Sequence, residues 1–179
     1  PYTSSSTPIA AYGPIGAGAP ELTGDNVIGV VKAYSSCVGE GPFTAEWFGE
    51  DAEKLRQAGN EYGAATGRPR RVGPIDMLAT AYGVQVQGAD CIALTKMDVL
   101  SYMDKIPVCI GYESEGKMLE SFPLTPVLEK SKPLFIDMPG WKTDISKIRT
   151  FSKLPKQAQD YVLLIEEKIN CPVKYISVG

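Results

Sequence analysis

Histidine is absent from all 179 residues. Any proton transfer near neutral pH must therefore use carboxylates, lysine or tyrosine, or groups that lie outside this chain. Cysteine is sparse: Cys37, Cys91, Cys109 and Cys171 stand far apart, with no C-x-x-C pair. That spacing argues against structural zinc and for reduced, buried thiols in a cytosolic (cytoplasmic) protein. No apolar run approaches the length of a membrane span, and no signal peptide is visible. An excess of positive charge is also lacking. The 18 basic and 21 acidic residues give a net charge of −3, so nothing suggests a surface for nucleic acid or for a membrane. With 44% hydrophobic residues the chain can build a real core. It begins at Pro1 rather than Met, which is read here as the mark of a piece of a longer protein.

Strand and helix patterns alternate along the chain. Val27 to Tyr34 reads as a buried strand, and Thr44 to Gln57 as a short helix capped at Thr44, with Phe48, Ala52 and Leu55 on one face. Pro74 to Val86 reads as an amphipathic helix with proline in its first turn. Cys91 to Leu94 is a short apolar strand. Ile106 to Tyr112 is another, turning at Ser114-Glu115-Gly116 into a hairpin partner over Met118 to Pro123. Leu134 to Met138 and Val173 to Val178 complete the strands. The clearest helix is Pro155 to Ile169, with Ala158, Tyr161, Val162, Ile165 and Ile169 on one face. This alternation predicts a single α/β domain over residues 1–179 with a largely parallel sheet and flanking helices, preceded by a Ser/Gly/Pro-rich segment over 1–26.

Four stretches carry candidate chemistry. Thr3-Ser4-Ser5-Ser6-Thr7 is either a solvated loop or a set of hydroxyl and backbone donors for a phosphate. Val38-Gly39-Glu40-Gly41-Pro42-Phe43 is a glycine-punctuated turn, equally consistent with a tight connection and with a close approach to a ligand. Gly63 to Arg71 places Arg68, Arg70 and Arg71 around Pro69 in a net-acidic chain. In an extended loop Arg68 and Arg70 point the same way, and two guanidinium forks side by side suit a dicarboxylate or a phosphate, a solvated basic loop being the alternative. Thr95-Lys96-Met97-Asp98 follows a short buried strand, where open α/β sheets bind ligands. A carboxylate at Asp98 can accept two hydrogen bonds from the N1–H and exocyclic amine of guanine, a donor pair that adenine lacks on that edge. The stem of Lys96 can lie along the base or ribose. One apparent motif is rejected. Gly111 to Lys117 fits G-x-x-x-x-G-K, but Met118 replaces the magnesium-binding hydroxyl, Glu113 and Glu115 would repel phosphate, and no helix pattern follows.

The order of these signals resembles adenylosuccinate synthetase. The resemblance is carried by Pro1 to Ser6, Gly29 to Tyr34, Val38 to Phe43, Gly59-Asn60-Glu61-Tyr62-Gly63, Thr66 to Arg71, Leu94 to Leu100, Pro139-Gly140-Trp141, Leu154-Pro155-x-x-Ala158-x-x-Tyr161 and Ser177-x-Gly179. It covers essentially the whole chain and corresponds to the family's C-terminal portion, a fold similar to the P-loop NTPases. The resemblance implies a GTP-dependent ligase of purine biosynthesis that joins L-aspartate to IMP through a 6-phosphoryl intermediate. It implies that Lys96, Met97 and Asp98 read guanine, with Ser177, Val178 and Gly179 closing the other side of the base. Ala64, Ala65, Thr66, Gly67, Arg68, Pro69 and Arg70 would form the loop that closes on aspartate. Arg68 would also touch IMP, and Arg70 would also help place the GTP phosphates. Ser4 would contact the IMP phosphate, and Val38 and Gly39 would line its ribose. The sequence departs from the family at Ala65 and Ser4, each in place of Thr, at Pro69, in place of a basic residue, and at Thr7, in place of Asn.

The family's phosphate loop, catalytic Asp and His, magnesium ligands and much of its homodimer contact are implied to lie outside this stretch. The expectation is therefore a chain without catalytic residues or metal ligands of its own, inactive alone. A non-catalytic guanine-nucleotide-binding module is the alternative reading. A GTP-binding protein sharing only Thr-Lys-x-Asp would not need the Arg68/Arg70 loop or the Ser4 region.

Overall fold

The computed structural model describes residues 12–19, 21, 26–119 and 121–179. Its organising feature is a run of chain that belongs to two sheets. Ile28–Lys32 forms β1 and Tyr34–Cys37 forms β2, with Ala33 between them. β1 pairs in parallel with β4 (Cys91–Thr95), which pairs in parallel with β8 (Val173–Ile176). β2 pairs antiparallel with β3 (Arg71–Asp76), and β3 runs parallel to β5 (Lys105–Ser114). β5 in turn carries β6 (Lys117–Leu119) and β7 (Lys132–Pro139) as antiparallel neighbours. The α/β class and the parallel sheet agree with the sequence reading, and the second, mixed sheet stands beside it.

Ala33 is fully buried. Its N–H donates to the Thr95 carbonyl at 2.8 Å, and its carbonyl accepts from the Tyr161 hydroxyl at 2.6 Å. A small side chain lets the backbone bend here while both polar groups stay satisfied, as burial requires. The strand expected over Val27 to Tyr34 is thus divided at Ala33. It is also less buried than expected: Ile28 and Val30 are 45% and 73% exposed, because the face of β1 that carries them is not covered by any described element.

Besides two single-turn helices, α1 (Gly13–Gly16) and α4 (Thr125–Leu128), the described residues form three longer α-helices, two of which begin later than expected. α2 spans Gly49–Gly59, not Thr44 to Gln57, and Phe48 is exposed at its start. Residues 44–47 are held against β3 instead. The Trp47 N–H donates to the Val72 carbonyl at 2.9 Å, and a Cβ on Gly73 would come within 2.1 Å of the Ala45 carbonyl oxygen. The acidic pair Glu50 and Asp51 then suits the positive end of α2, and Asn60 closes it in the left-handed region. α3 spans Met77–Gln87, and Pro74 lies inside β3 rather than in a first helical turn. The start is set by Asp76, whose carboxylate accepts from the Ala79 N–H at 3.1 Å and from the Tyr112 hydroxyl at 2.5 Å.

The hairpin between β5 and β6 turns on Glu115 and Gly116, both at positive φ, as two-residue hairpin loops demand. This disposes of the apparent phosphate loop; the returning strand ends at Leu119, short of the expected Pro123. The last helix, α5 (Lys156–Ile169), buries Ala158, Tyr161, Val162, Ile165 and Ile169 as expected, and Tyr161 meets Trp141 edge to face at 5.9 Å. Among the described residues no helix is long and apolar enough to cross a membrane.

The Tyr161 hydroxyl serves only the Ala33 carbonyl at the sheet junction, so Tyr161→Phe leaves a buried acceptor unpaired. The variant should unfold at lower urea, losing about 1–3 kcal/mol. An unchanged midpoint and slope would show that this bond does not secure the junction.

Candidate functional site

The parallel pairing of β4 and β8 brings their carboxyl ends together. The Ser177 N–H donates to the Leu94 carbonyl at 2.8 Å, and the Met97 N–H to the Ser177 carbonyl at 3.3 Å. Lys96 takes left-handed backbone (φ 64°) and turns the chain into a 3-10 helix over Met97–Tyr102. A non-glycine residue in that region is uncommon and is held here by the strand before it and the turn after it. The Lys96 ammonium donates to the Gly59 carbonyl at 3.1 Å, at the end of α2, where free carbonyls concentrate negative charge. Met97 is fully buried in the core, which leaves only its backbone for a ligand. Asp98 is half-buried, and its Oδ1 is buried without a hydrogen-bond partner among the described residues.

Gly179 completes this corner. An ideal Cβ there would lie in van der Waals contact with Asp98, 3.5 Å from both Cγ and Oδ2, and the backbone sits at φ 118°, which an L side chain adopts only under strain. Ser177, Val178 and Gly179 also line a cleft of about 390 Å³ with Arg149, Phe151 and Lys174. The structure therefore gathers Lys96–Asp98 and Ser177–Gly179, which are about eighty positions apart in sequence.

The arginine loop is a backbone-closed excursion between α2 and β3. Gly63 N–H donates to the Arg68 carbonyl at 2.9 Å, Gly67 N–H to the Gly63 carbonyl at 2.8 Å, and Arg70 N–H to the Glu61 carbonyl at 3.0 Å. Ala64, Ala65, Thr66, Gly67, Arg68 and Pro69 are all exposed on it. The three arginines have different surroundings. Arg68 is exposed and lines a cleft of about 290 Å³ with Val38, Gly39, Glu40, Gly41, Pro69 and Arg71. Arg71 is fastened down: Nε donates to both Glu46 oxygens at 2.9 Å, Nη1 reaches the carbonyls of Gly39 and Gly41, and the guanidinium lies 5.5 Å from the Phe43 ring centroid. It shapes the 38–43 turn. Arg70 donates from Nη1 to Glu61 at 2.9 Å, while its Nε is buried without a partner. Ser4 lies outside the described residues.

Glu61 is 1% exposed and takes three donors: Lys32 Nζ at 2.7 Å, the Tyr34 hydroxyl at 2.5 Å and Arg70. Burial alone would raise its pKa, but hydrogen bonds from Lys32, Tyr34 and Arg70 outweigh burial and hold the carboxyl below its ordinary range. The same arrangement, burial first and then Glu61, drives the Tyr34 pKa far up, keeping that hydroxyl protonated. Among the described residues no group of three or more Cys, Asp or Glu could hold a metal ion.

The adenylosuccinate synthetase family model matches residues 1–179. The chain belongs to the adenylosuccinate synthetase family. It is 46% identical to the adenylosuccinate synthetase of Geotalea daltonii and 44% identical to that of Geobacter sulfurreducens. Each match takes in the whole of this chain and 42% of the relative. The structure of fully ligated adenylosuccinate synthetase from Plasmodium falciparum superposes with a TM-score of 0.91 at 36% identity, over all of this chain and 43% of that one. The chain thus spans less than half the length of the family members it matches.

Within this family member, sequence reasoning passed over Glu61, Lys32 and Tyr34. Gly59 to Gly63 had marked the family without a role for its carboxylate. The one available signal was a Glu standing directly between the end of the preceding helix and the arginine loop.

The lowered Glu61 pKa sets a pH dependence. Its contribution to stability is complete above the ordinary value of 4.5 and is lost as pH falls through the lower folded value. Urea midpoints measured downward from about pH 5 should therefore fall more steeply for the wild type than for Glu61→Gln, which lacks the titrating group. Parallel slopes would mean that folding does not lower the Glu61 pKa.

Proposed function

We propose that this chain is the part of a GTP-dependent adenylosuccinate synthetase that reads guanine, grips L-aspartate and lines part of the IMP site. The whole enzyme would phosphorylate O6 of IMP from GTP and let the aspartate amine displace that phosphate, in AMP biosynthesis. The observation that carries the reading is Asp98 Oδ1, a buried acceptor with no partner beside the side-chain-free backbone of Gly179. A buried, unpaired carboxylate oxygen is unfavourable, and the two donors on the guanine edge would relieve it. Lys96, Met97 and Asp98 take one side of the base and Ser177, Val178 and Gly179 the other.

Ala64, Ala65, Thr66, Gly67, Arg68, Pro69 and Arg70 form the aspartate loop in this reading. Their support is exposure: a lip of six solvent-facing residues ending in a tethered arginine can close over a dicarboxylic substrate. Arg68 bridges to IMP through the cleft it shares with Val38 and Gly39. Arg70 turns its free Nε toward anionic groups of aspartate or of the GTP phosphates. Magnesium, which belongs to the whole enzyme, lacks a donor set among the described residues, and no step here is routed through it. The working enzyme is placed in the cytoplasm as a homodimer, with small molecules rather than nucleic acid or membrane as its partners.

Two measurements test this. Calorimetry should show guanine nucleotides binding at least about tenfold tighter than adenine nucleotides, a preference that Asp98→Asn removes; equal binding by the wild type would dismiss the base site. Purified chain supplied with GTP, IMP, aspartate and magnesium should form no adenylosuccinate, and detecting product would overturn the division of the active site proposed here.

A further inference from the structure

The geometry points to Glu61 as the positioning residue that presets Arg70 for an anionic ligand. Two cations, Lys32 and Arg70, converge on this single buried carboxylate, and each keeps 30% of its side chain exposed. An anion arriving at that side meets two cations held in place by one carboxylate that is itself covered. Arg70 also keeps a buried Nε with no partner among the described residues, although its Nη1 is engaged. A guanidinium held by one edge with a donor left free is oriented before the ligand arrives, and fork geometry makes that orientation count.

Glu61 is itself rigid. Its N–H donates to the Arg56 carbonyl at 2.8 Å and its carbonyl accepts from Arg70 N–H at 3.0 Å. Two residues earlier, the Gly59 carbonyl receives the Lys96 ammonium. Residues 59–61 therefore fasten the Lys96 turn and Arg70 to one short stretch of backbone. Lys32 and Tyr34, from the two sides of the Ala33 bend, fix the other carboxylate oxygen at Oε1, so Oε2 is left for Arg70 alone among the described bonds. A carboxylate built only for stability would not need to leave Arg70 with an orphaned donor.

This assignment rests on the proposed role of Arg70 toward aspartate and nucleotide phosphates, and its test separates the two. In the full-length product of the gene, Glu61→Gln should raise the KM for aspartate about tenfold, with kcat changed by less than about threefold. In an Arg70→Leu background the same change should add less than about twofold, because the lost positioning acts through Arg70. Independent effects that multiply would overturn the assignment. A second readout needs no activity: with 15N-labelled arginine, the Arg70 guanidinium signals should be resolved in the wild type and averaged by free rotation in Glu61→Gln. If the full-length protein has no ligase activity, the proposed function fails and the arginine spectrum alone decides the role of Glu61. Unchanged Arg70 signals in Glu61→Gln would refute it. Should Glu61→Gln not fold, Glu61→Asp, which keeps the charge and shortens the reach, should show the same loss of Arg70 signals.

Discussion

A carboxylate buried at Glu61 has to be neutralised on the spot, and much of the site follows from how that is done. One cation and one hydroxyl come from the strands on either side of Ala33, and the second cation comes from the loop entering β3. The three donors come from two stretches of chain, residues 32–34 and the loop at Arg70, that must meet at Glu61 before the charge can be enclosed. Removing the Glu61 carboxylate itself would leave Lys32 and Arg70 facing each other without a counter-charge, which is far less favourable than losing an exposed ion pair. The cluster thus ties the parallel sheet, the mixed sheet and the arginine loop into a single arrangement.

The corner proposed to read the base depends on a different constraint, the pairing of two parallel strands that end level. β4 and β8 are far apart in sequence, and only their hydrogen-bonded register puts Gly179 against Asp98. The turn at Lys96 is stiffened from below by the buried Met97 and from the side by the Gly59 carbonyl. The polar corner is therefore assembled on apolar and backbone interactions that are complete without a ligand, as a preorganised site requires.

How legible these features were in the sequence varied with how local their causes are. α5 was read correctly because its apolar spacing is strong and nothing tertiary competes with it. β4 and the turn after it were legible for the same reason. α2 was misplaced because Thr44 is a good capping residue locally, whereas residues 44–47 are claimed by β3 through Trp47 and the close packing of Ala45 on Gly73. Pro74 likewise resembled a helix start until Asp76 proved to be the cap. The three arginines looked equivalent in sequence and are not, since their roles are set by Glu46 and Glu61, partners that no spacing rule connects to them. Motif order identified the family, while the carboxylates that organise its arginines could be found only in three dimensions.

The bend at Ala33 has a mechanical consequence. Its N–H is bonded to β4 and its carbonyl to α5, so the strand run is clamped at the point where the two sheets diverge. Changing the angle between the sheets would break hydrogen bonds that no water can replace. Hinge motion between the two sheets is thereby disfavoured, and the part left exposed to move is the lip at residues 64–69. In the proposed reading, a stiff frame with such a lip encloses a substrate at the expense of a few residues' freedom, without moving the corner assigned to the base.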